Sequence, residues 1–208
     1  MTLGVWLALA PLRLLAALGL RRSLILVCLF VLAVTAYGVA EDLGLLDPPA
    51  AAKPARRASQ APPSPAARAD IPAGYLTLYQ QAARRCPGLS WSVLAAIGKV
   101  ESDHGRSPLP GVRSGWNAAG AAGPMQFGIG VGRAGNAWAR YGTDFNHDGR
   151  RSVYDPGDAI PAAADYLCAA GAPRRLDRAL YAYNHSRTYV AKVNTIAARY
   201  RTRGGGRR

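Results

Sequence analysis

Between Asp47 and Asp70 the chain reads DPPAAAKPARRASQAPPSPAARAD, with Pro48, Pro49, Pro54, Pro62, Pro63 and Pro65 and without one aromatic or branched aliphatic side chain. Such a stretch has too little apolar surface to offset the entropy of ordering it, and proline-rich backbone extends by about 3.1 Å per residue. It therefore divides the chain. Residues 41 to 70 are expected to be a disordered Pro/Ala-rich linker acting as a tether, a reading set against that of a tail without a role. A hydrophobic core has to come from residues 71 to 200, a length suited to one domain, with residues 201 to 208 (RTRGGGRR) as a basic tail.

Ahead of the linker, SLILVCLFVLAVTAYGVA runs from Ser23 to Ala40 without a charge. Its length is close to the roughly 20 apolar residues that cross a hydrocarbon core. Arg21 and Arg22 precede it, which by the positive-inside rule keeps the N-terminal side in the cytoplasm and exports the rest. Cleavage is the alternative, since Gly38, Val39 and Ala40 offer small residues at signal-peptidase spacing. Residues 1 to 20 are apolar too but broken by Pro11 and Arg13, and read as an interfacial or second membrane segment. Residues 1 to 40 are thus an N-terminal membrane anchor or signal segment, and either form leaves the domain outside the cytoplasm.

Export constrains the chemistry. Cys86 and Cys168 fall in the exported part, where oxidation is allowed, and neither has a Cys or His nearby at zinc spacing. A disulfide is the simplest pairing, with two buried thiols as the alternative. Cys28 lies in the apolar run behind Val27, which argues against lipid attachment. The formal net charge of +14 favours anionic partners. Nucleic acid is a poor one, because export separates the domain from it and the arginines do not gather on one helix.

Helical signals dominate the domain. AGYLTLYQQAARRC (residues 73 to 86) places Tyr75, Leu78, Tyr79 and Ala82 at helical spacing ahead of Pro87. Ser90 is positioned to cap WSVLAAIGKVESDHG, a stretch ending at Gly105. Further helices are expected over Gly132 to Tyr141, after Asp155 up to Gly171, and in LDRALYAYNHS and RTYVAKVNTIAARY. No run alternates like a sheet face, so the fold class is mainly α.

One carboxylate breaks the pattern. At 100° per residue Val93, Ile97 and Val100 share a helix face, and Glu101 falls between the directions of Leu94 and Ile97. Desolvation on an apolar face raises a carboxyl pKa, as a general acid working near neutrality requires. The competing reading is a structural glutamate paired with an arginine.

Two later segments weigh against the structural reading. GWNAAGAAGPMQF, residues 115 to 127, surrounds Met125, Gln126 and Phe127 with glycines, a composition that lets backbone approach a ligand. YAYNHSRTY contributes Tyr181, Tyr183, Asn184, His185 and Tyr189, flat faces with hydrogen-bonding tips that suit sugars, although Tyr181 fits a packing role. DFNHDGRRSVYDPGD then places Asp144, Asn146 and Asp148 at alternate positions with Gly149 sixth, copying half of a calcium loop. Its twelfth position is Asp155, and Asp158 follows three later; the alternative is an Asp/Asn/Gly turn before an Asp helix cap. His104, His147 and His185 lack the companions of a zinc site or triad and read as polar surface or groove-side residues.

Taken in order, VES at a helix end, GAAGPMQF, DFNHDG with YDPGDAI, and YNHS with a tyrosine three residues on resemble the lytic murein transglycosylases of the membrane-bound B type over residues 71 to 200. The resemblance implies a lysozyme-like transglycosylase domain behind the membrane segment and linker. It implies cleavage of peptidoglycan between N-acetylmuramic acid and N-acetylglucosamine, with muramyl O6 closing on C1 to leave a 1,6-anhydro sugar. Glu101 matches the family's one catalytic acid and base. Met125 falls within the matching segment, while Gln126, Phe127, Tyr183, Asn184 and Tyr189 match the saccharide groove; Asn117 stands where a serine is expected. Asp144, Asn146 and Asp148 by side chain, Arg150 by carbonyl and Asp158 match a calcium site, which leaves Asp155 to cap the helix. No organic cofactor is implied. The expected partners are peptidoglycan glycan strands and the membrane, the protein acting as a monomer anchored at the cell membrane or secreted into the wall.

From residue 71 onward Glu101 is joined only by Asp103, Asp144, Asp148, Asp155, Asp158, Asp165 and Asp177 as acids, and Asp103 points away from it on the helix. Most glycosidases use two carboxylates, so this shortage fits chemistry with one. Two alternatives stay open: a hydrolytic muramidase, in which water attacks, and a non-catalytic peptidoglycan-binding module.

Overall fold

The computed structural model describes residues 61–201. The expected membrane or signal segment, most of the linker and the basic tail beyond Arg201 lie outside the described residues. No helix among the described residues is long and apolar enough to cross a membrane.

The domain starts earlier than the sequence suggests. Helix α1 (Pro65–Asp70) lies inside the expected linker, with Ser64 as its N-cap accepting from the Ala67 amide at 3.1 Å and proline at the first position. Its alanines alone could not hold it, and long-range polar contacts do. The Ser64 amide donates to the Tyr200 carbonyl, the Ser64 hydroxyl to the Arg199 carbonyl, and Trp91 Nε1 to the Ala61 carbonyl. Composition showed the lack of apolar surface in this segment but not the partners waiting for it 30 and 135 residues away.

Helix α2 (Ala73–Ala83) stops short of Cys86 because Arg84 to Cys86 tighten into turns bonded to carbonyls three residues back, ahead of Pro87. Helix α3 (Trp91–Ser102) is the centre of the domain, and every residue from Trp91 to Gly98 is buried. It packs against α2 and against α7 (Arg187–Arg201). Gly98 is required at the first of these contacts, since a Cβ there would run into the Tyr79 ring. Asp103 and His104, both in left-handed backbone, end the helix through amide bonds back to Lys99 and Gly98.

The expected sheet-free chain holds one minimal hairpin among the described residues, β1 (Ala121–Ala122) antiparallel to β2 (Phe127–Gly128). The expected helix over Gly132 to Tyr141 is split into a 3₁₀ turn, Gly132–Ala134, and α4 (Ala137–Tyr141). Gly135, at φ 70°, breaks the run, and the Asn136 side chain recaps it on the Ala139 amide. Helix α5 (Pro156–Ala169) begins as expected at Asp155, whose carboxylate takes the Gly157 amide at 2.7 Å. Helix α6 (Leu176–Asn184) and α7 complete the set. Cys86 and Cys168 form the disulfide, Cα atoms 5.6 Å apart, tying the exit of α2 to α5.

His104 is not a surface residue. It is 1 % exposed, with Nδ1 facing the Tyr79 hydroxyl at 3.0 Å and Nε2 facing that of Tyr200 at 3.2 Å. Tyr200 donates onward to Asp70 at 2.6 Å, and Asp70 pairs with Lys99 and Arg106. Burial pushes the imidazole down to about 4, so it sits neutral between two hydroxyls. The chain of contacts joins α1, α2, α7 and the end of α3. Among the described residues, no buried side-chain polar atom is left without a partner.

Candidate active site

Glu101 occupies the last turn of α3, one residue before the helix ends. Its Oε1 accepts from the Tyr189 hydroxyl at 2.7 Å. Burial raises the carboxyl to about 7, against the lowering influence of the Tyr189 hydrogen bond and the positive field of Lys192. Its position where helix carbonyls point outward also disfavours the anion. Among the described residues, the charged side chain whose field reaches the acid is a lysine, not a second carboxylate or an arginine partner. At neutral pH such a group divides its time between acid and base.

Aromatic rings build the surroundings. Tyr189 is 7 % exposed and stacks on Tyr183, their planes 7° apart and centroids 6.5 Å apart. Burial and the neighbouring Glu101 raise both phenols, so each stays a proton donor. Tyr183 donates to the Met125 carbonyl at 2.8 Å, which joins the Tyr pair to the glycine-rich loop. Ser102 makes the second join: its hydroxyl donates to the Pro124 carbonyl at 2.7 Å and accepts from the Gly105 amide. Sequence reasoning missed Ser102; its place directly after the acid was the available signal. It missed Lys192 as well, three residues after Tyr189 and so on the same side of α7.

The loop differs from expectation in what fills it. Met125 is fully buried and Phe127 is 3 % exposed, packed against Trp138 and Tyr183. These two side chains are core and do not line a groove; apolar residues between glycines were better explained by packing. The glycines approach protein instead of ligand: a Cβ on Gly123 would strike the Val153 carbonyl, and one on Gly120 that of Val131. Gln126, in left-handed backbone at φ 51°, is the loop's polar side chain beside the tyrosines' contact at Met125. Its Oε1 accepts from Asn117 Nδ2 at 2.9 Å, while Asn117 Oδ1 accepts from the Ala119 and Ala121 amides. Asn117 thus orients Gln126. Asn184, at the end of α6, is exposed.

The acidic loop is closed by its own amides. Asp144 accepts from Asp148 and Gly149, Asn146 from Asp148, and Asp148 from Arg150. Asp158 is fully buried and ties Phe145 to Ser152 through its two oxygens, at 2.8 and 2.9 Å. Among the described residues no three His, Cys, Asp or Glu side chains converge to hold a metal ion. Asp144, Asn146, Asp148 and Asp158 are thus each engaged by loop amides, and the proposed chemistry passes through no metal.

No family model matches the sequence, and no curated protein does. Among solved structures, the chain is similar to the Escherichia coli lytic transglycosylase Slt35 in complex with bulgecin A, with a TM-score of 0.48 at 16% identity over 77% of this chain and 82% of that one. It is similar to the same Escherichia coli enzyme in complex with calcium, with a TM-score of 0.48 at 15% identity over 77% and 81% of the two chains.

Proposed function

We propose that the protein is a peptidoglycan lytic transglycosylase in which Glu101 acts as acid and then as base. One observation carries the reading: a partly buried carboxyl raised to about 7, held by Tyr189, with Lys192 rather than another carboxylate as its charged neighbour. The protonated Glu101 gives its proton to the glycosidic oxygen between the muramic acid and glucosamine units. The substrate's acetamido group shares the positive charge that develops at C1. The Glu101 carboxylate then takes the O6 proton as that oxygen bonds to C1, which closes the 1,6-anhydro ring and returns the acid to its starting state. Tyr189 stabilises the intermediate carboxylate through the bond it already makes.

Export, attachment to the membrane through residues 1 to 40 and action on the cell wall belong to the same proposal, supported by the uncharged run from Ser23 to Ala40. The test is digestion of purified sacculi followed by mass analysis. Muropeptides lighter by one water are expected, and their absence from digests by the Glu101→Gln protein. Reducing ends alone would establish the hydrolytic muramidase, and binding without any cleavage the non-catalytic module.

A further inference from the structure

Trp116 stands apart from the other aromatic side chains. The other tryptophans among the described residues are 1 % (Trp91) and 8 % (Trp138) exposed, whereas Trp116 is 57 % exposed and makes no hydrogen bond or ring contact among them. Exposure of one apolar side chain is ordinary and needs no function. The backbone on both sides of it is what differs. The Gly115 carbonyl is held by the Tyr154 hydroxyl at 2.7 Å, and the Asn117 amide by the Ala121 carbonyl at 3.0 Å. Beneath it, Gly111 comes so close that a Cβ there would lie 3.0 Å from the Trp116 carbonyl carbon. A loop fixed at this many points fixes where the Trp116 side chain leaves the backbone and keeps the indole in water.

The residue that follows it leads to the site. Asn117, the next residue, orients Gln126; the Met125 carbonyl beside Gln126 takes the Tyr183 hydroxyl; and Tyr183 stacks on the tyrosine that holds Glu101. We infer that Trp116 is a saccharide platform, on which one N-acetylhexosamine ring of the strand stacks by its apolar face, away from the bond being cut. The inference rests on the glycan-cleaving reading above and names a residue that extends it. A flat indole with two side-chain torsions on a held backbone would gain the contact with little loss of conformational entropy.

The test uses the full chain with Glu101→Gln, so that ligand is bound and not cut, titrated calorimetrically with β-1,4-linked N-acetylglucosamine oligomers of about two to six units. Stacking of the order of 1 to 2 kcal/mol predicts that Trp116→Ala weakens the longest oligomer about 5- to 30-fold, and Trp116→Phe by no more than about 3-fold. The shortest oligomer is expected to bind equally to all three. In the active chain, Trp116→Ala raises KM on sacculi and leaves kcat within about 2-fold. Equal binding of the long oligomer by Trp116→Ala, while sacculi are still cut to anhydro products, overturns this inference alone. Failure of the native chain to cut sacculi overturns the function as well. A blue shift of Trp116 emission with anionic phosphatidylglycerol vesicles and none with glycan overturns it in favour of a membrane contact.

Discussion

Replacing Glu101 by Gln is expected to abolish wall cleavage and, at the same time, to make the domain more stable at alkaline pH. The sign follows from linkage. A carboxyl raised from 4.5 to about 7 holds its proton more tightly in the folded state, so stability is fully present below the unfolded value and is lost as pH rises through 7. The shift corresponds to about 3 kcal/mol between the protonated and ionised limits. Glutamine keeps the acceptor for Tyr189 and never ionises, so the variant escapes that loss. With a urea m-value of about 2 kcal/mol per molar, its midpoint should lie about 1.5 M above wild type near pH 8.5 and coincide with it near pH 4.5. The wild-type profile alone would hide the effect. His104 is depressed from 6.5 to about 4, and its contribution is present above 6.5 and lost as pH falls through 4, the opposite slope over nearly the same window. The wild-type minus variant difference cancels His104 and leaves Glu101. Paired urea titrations from about pH 4.5 to about pH 8.5 are the assay. A difference that stays flat with pH, or a variant less stable than wild type near pH 8.5, would refute the buried-acid argument.

Three further outcomes are expected. Cleavage by the native chain should fall as pH rises through 7, and Tyr189→Phe, which removes a bond that lowers Glu101, should move that limb upward while reducing kcat; the measurement is a pH–rate profile on soluble glycan strands, and a limb that moves downward contradicts it. Reducing the Cys86–Cys168 disulfide, which closes a sequence separation of 82, should destabilise the domain by about 4 kcal/mol in the chain-entropy account, measured by denaturation with and without reductant. The acidic loop is already tied by its own amides, so chelator or added calcium should leave the melting temperature within about 1 °C, whereas a saturable rise with calcium would show that the loop holds the ion.

What the sequence made legible was periodic or local. Glu101 was visible because it interrupts an apolar helix face, and Asp155 because a helix cap is a one-residue signal ahead of Pro156. Asp70 and His104 were not, since their partners Tyr200, Tyr79 and Lys99 come together only through tertiary packing, and a histidine beside a charged helix end looks like surface. Met125 and Phe127 were misread for a related reason. Side chains between glycines were taken to face a ligand, when the glycines serve to bring Val131 and Val153 backbone close and the two side chains fill the space behind. The residues proposed to bear the chemistry can be named from the sequence; those that set their geometry needed the fold.

The seam between Ser64 and the last turn of α7 has a topological consequence. The polypeptide enters and leaves this domain at neighbouring points, so the unit behaves as a cassette. Joining residue 61 to residue 201 by a short bridge and reopening the chain at an exposed turn should give a circular permutant with the same hydrogen-bonded seam, and splicing the unit into a surface loop of another protein should strain neither partner.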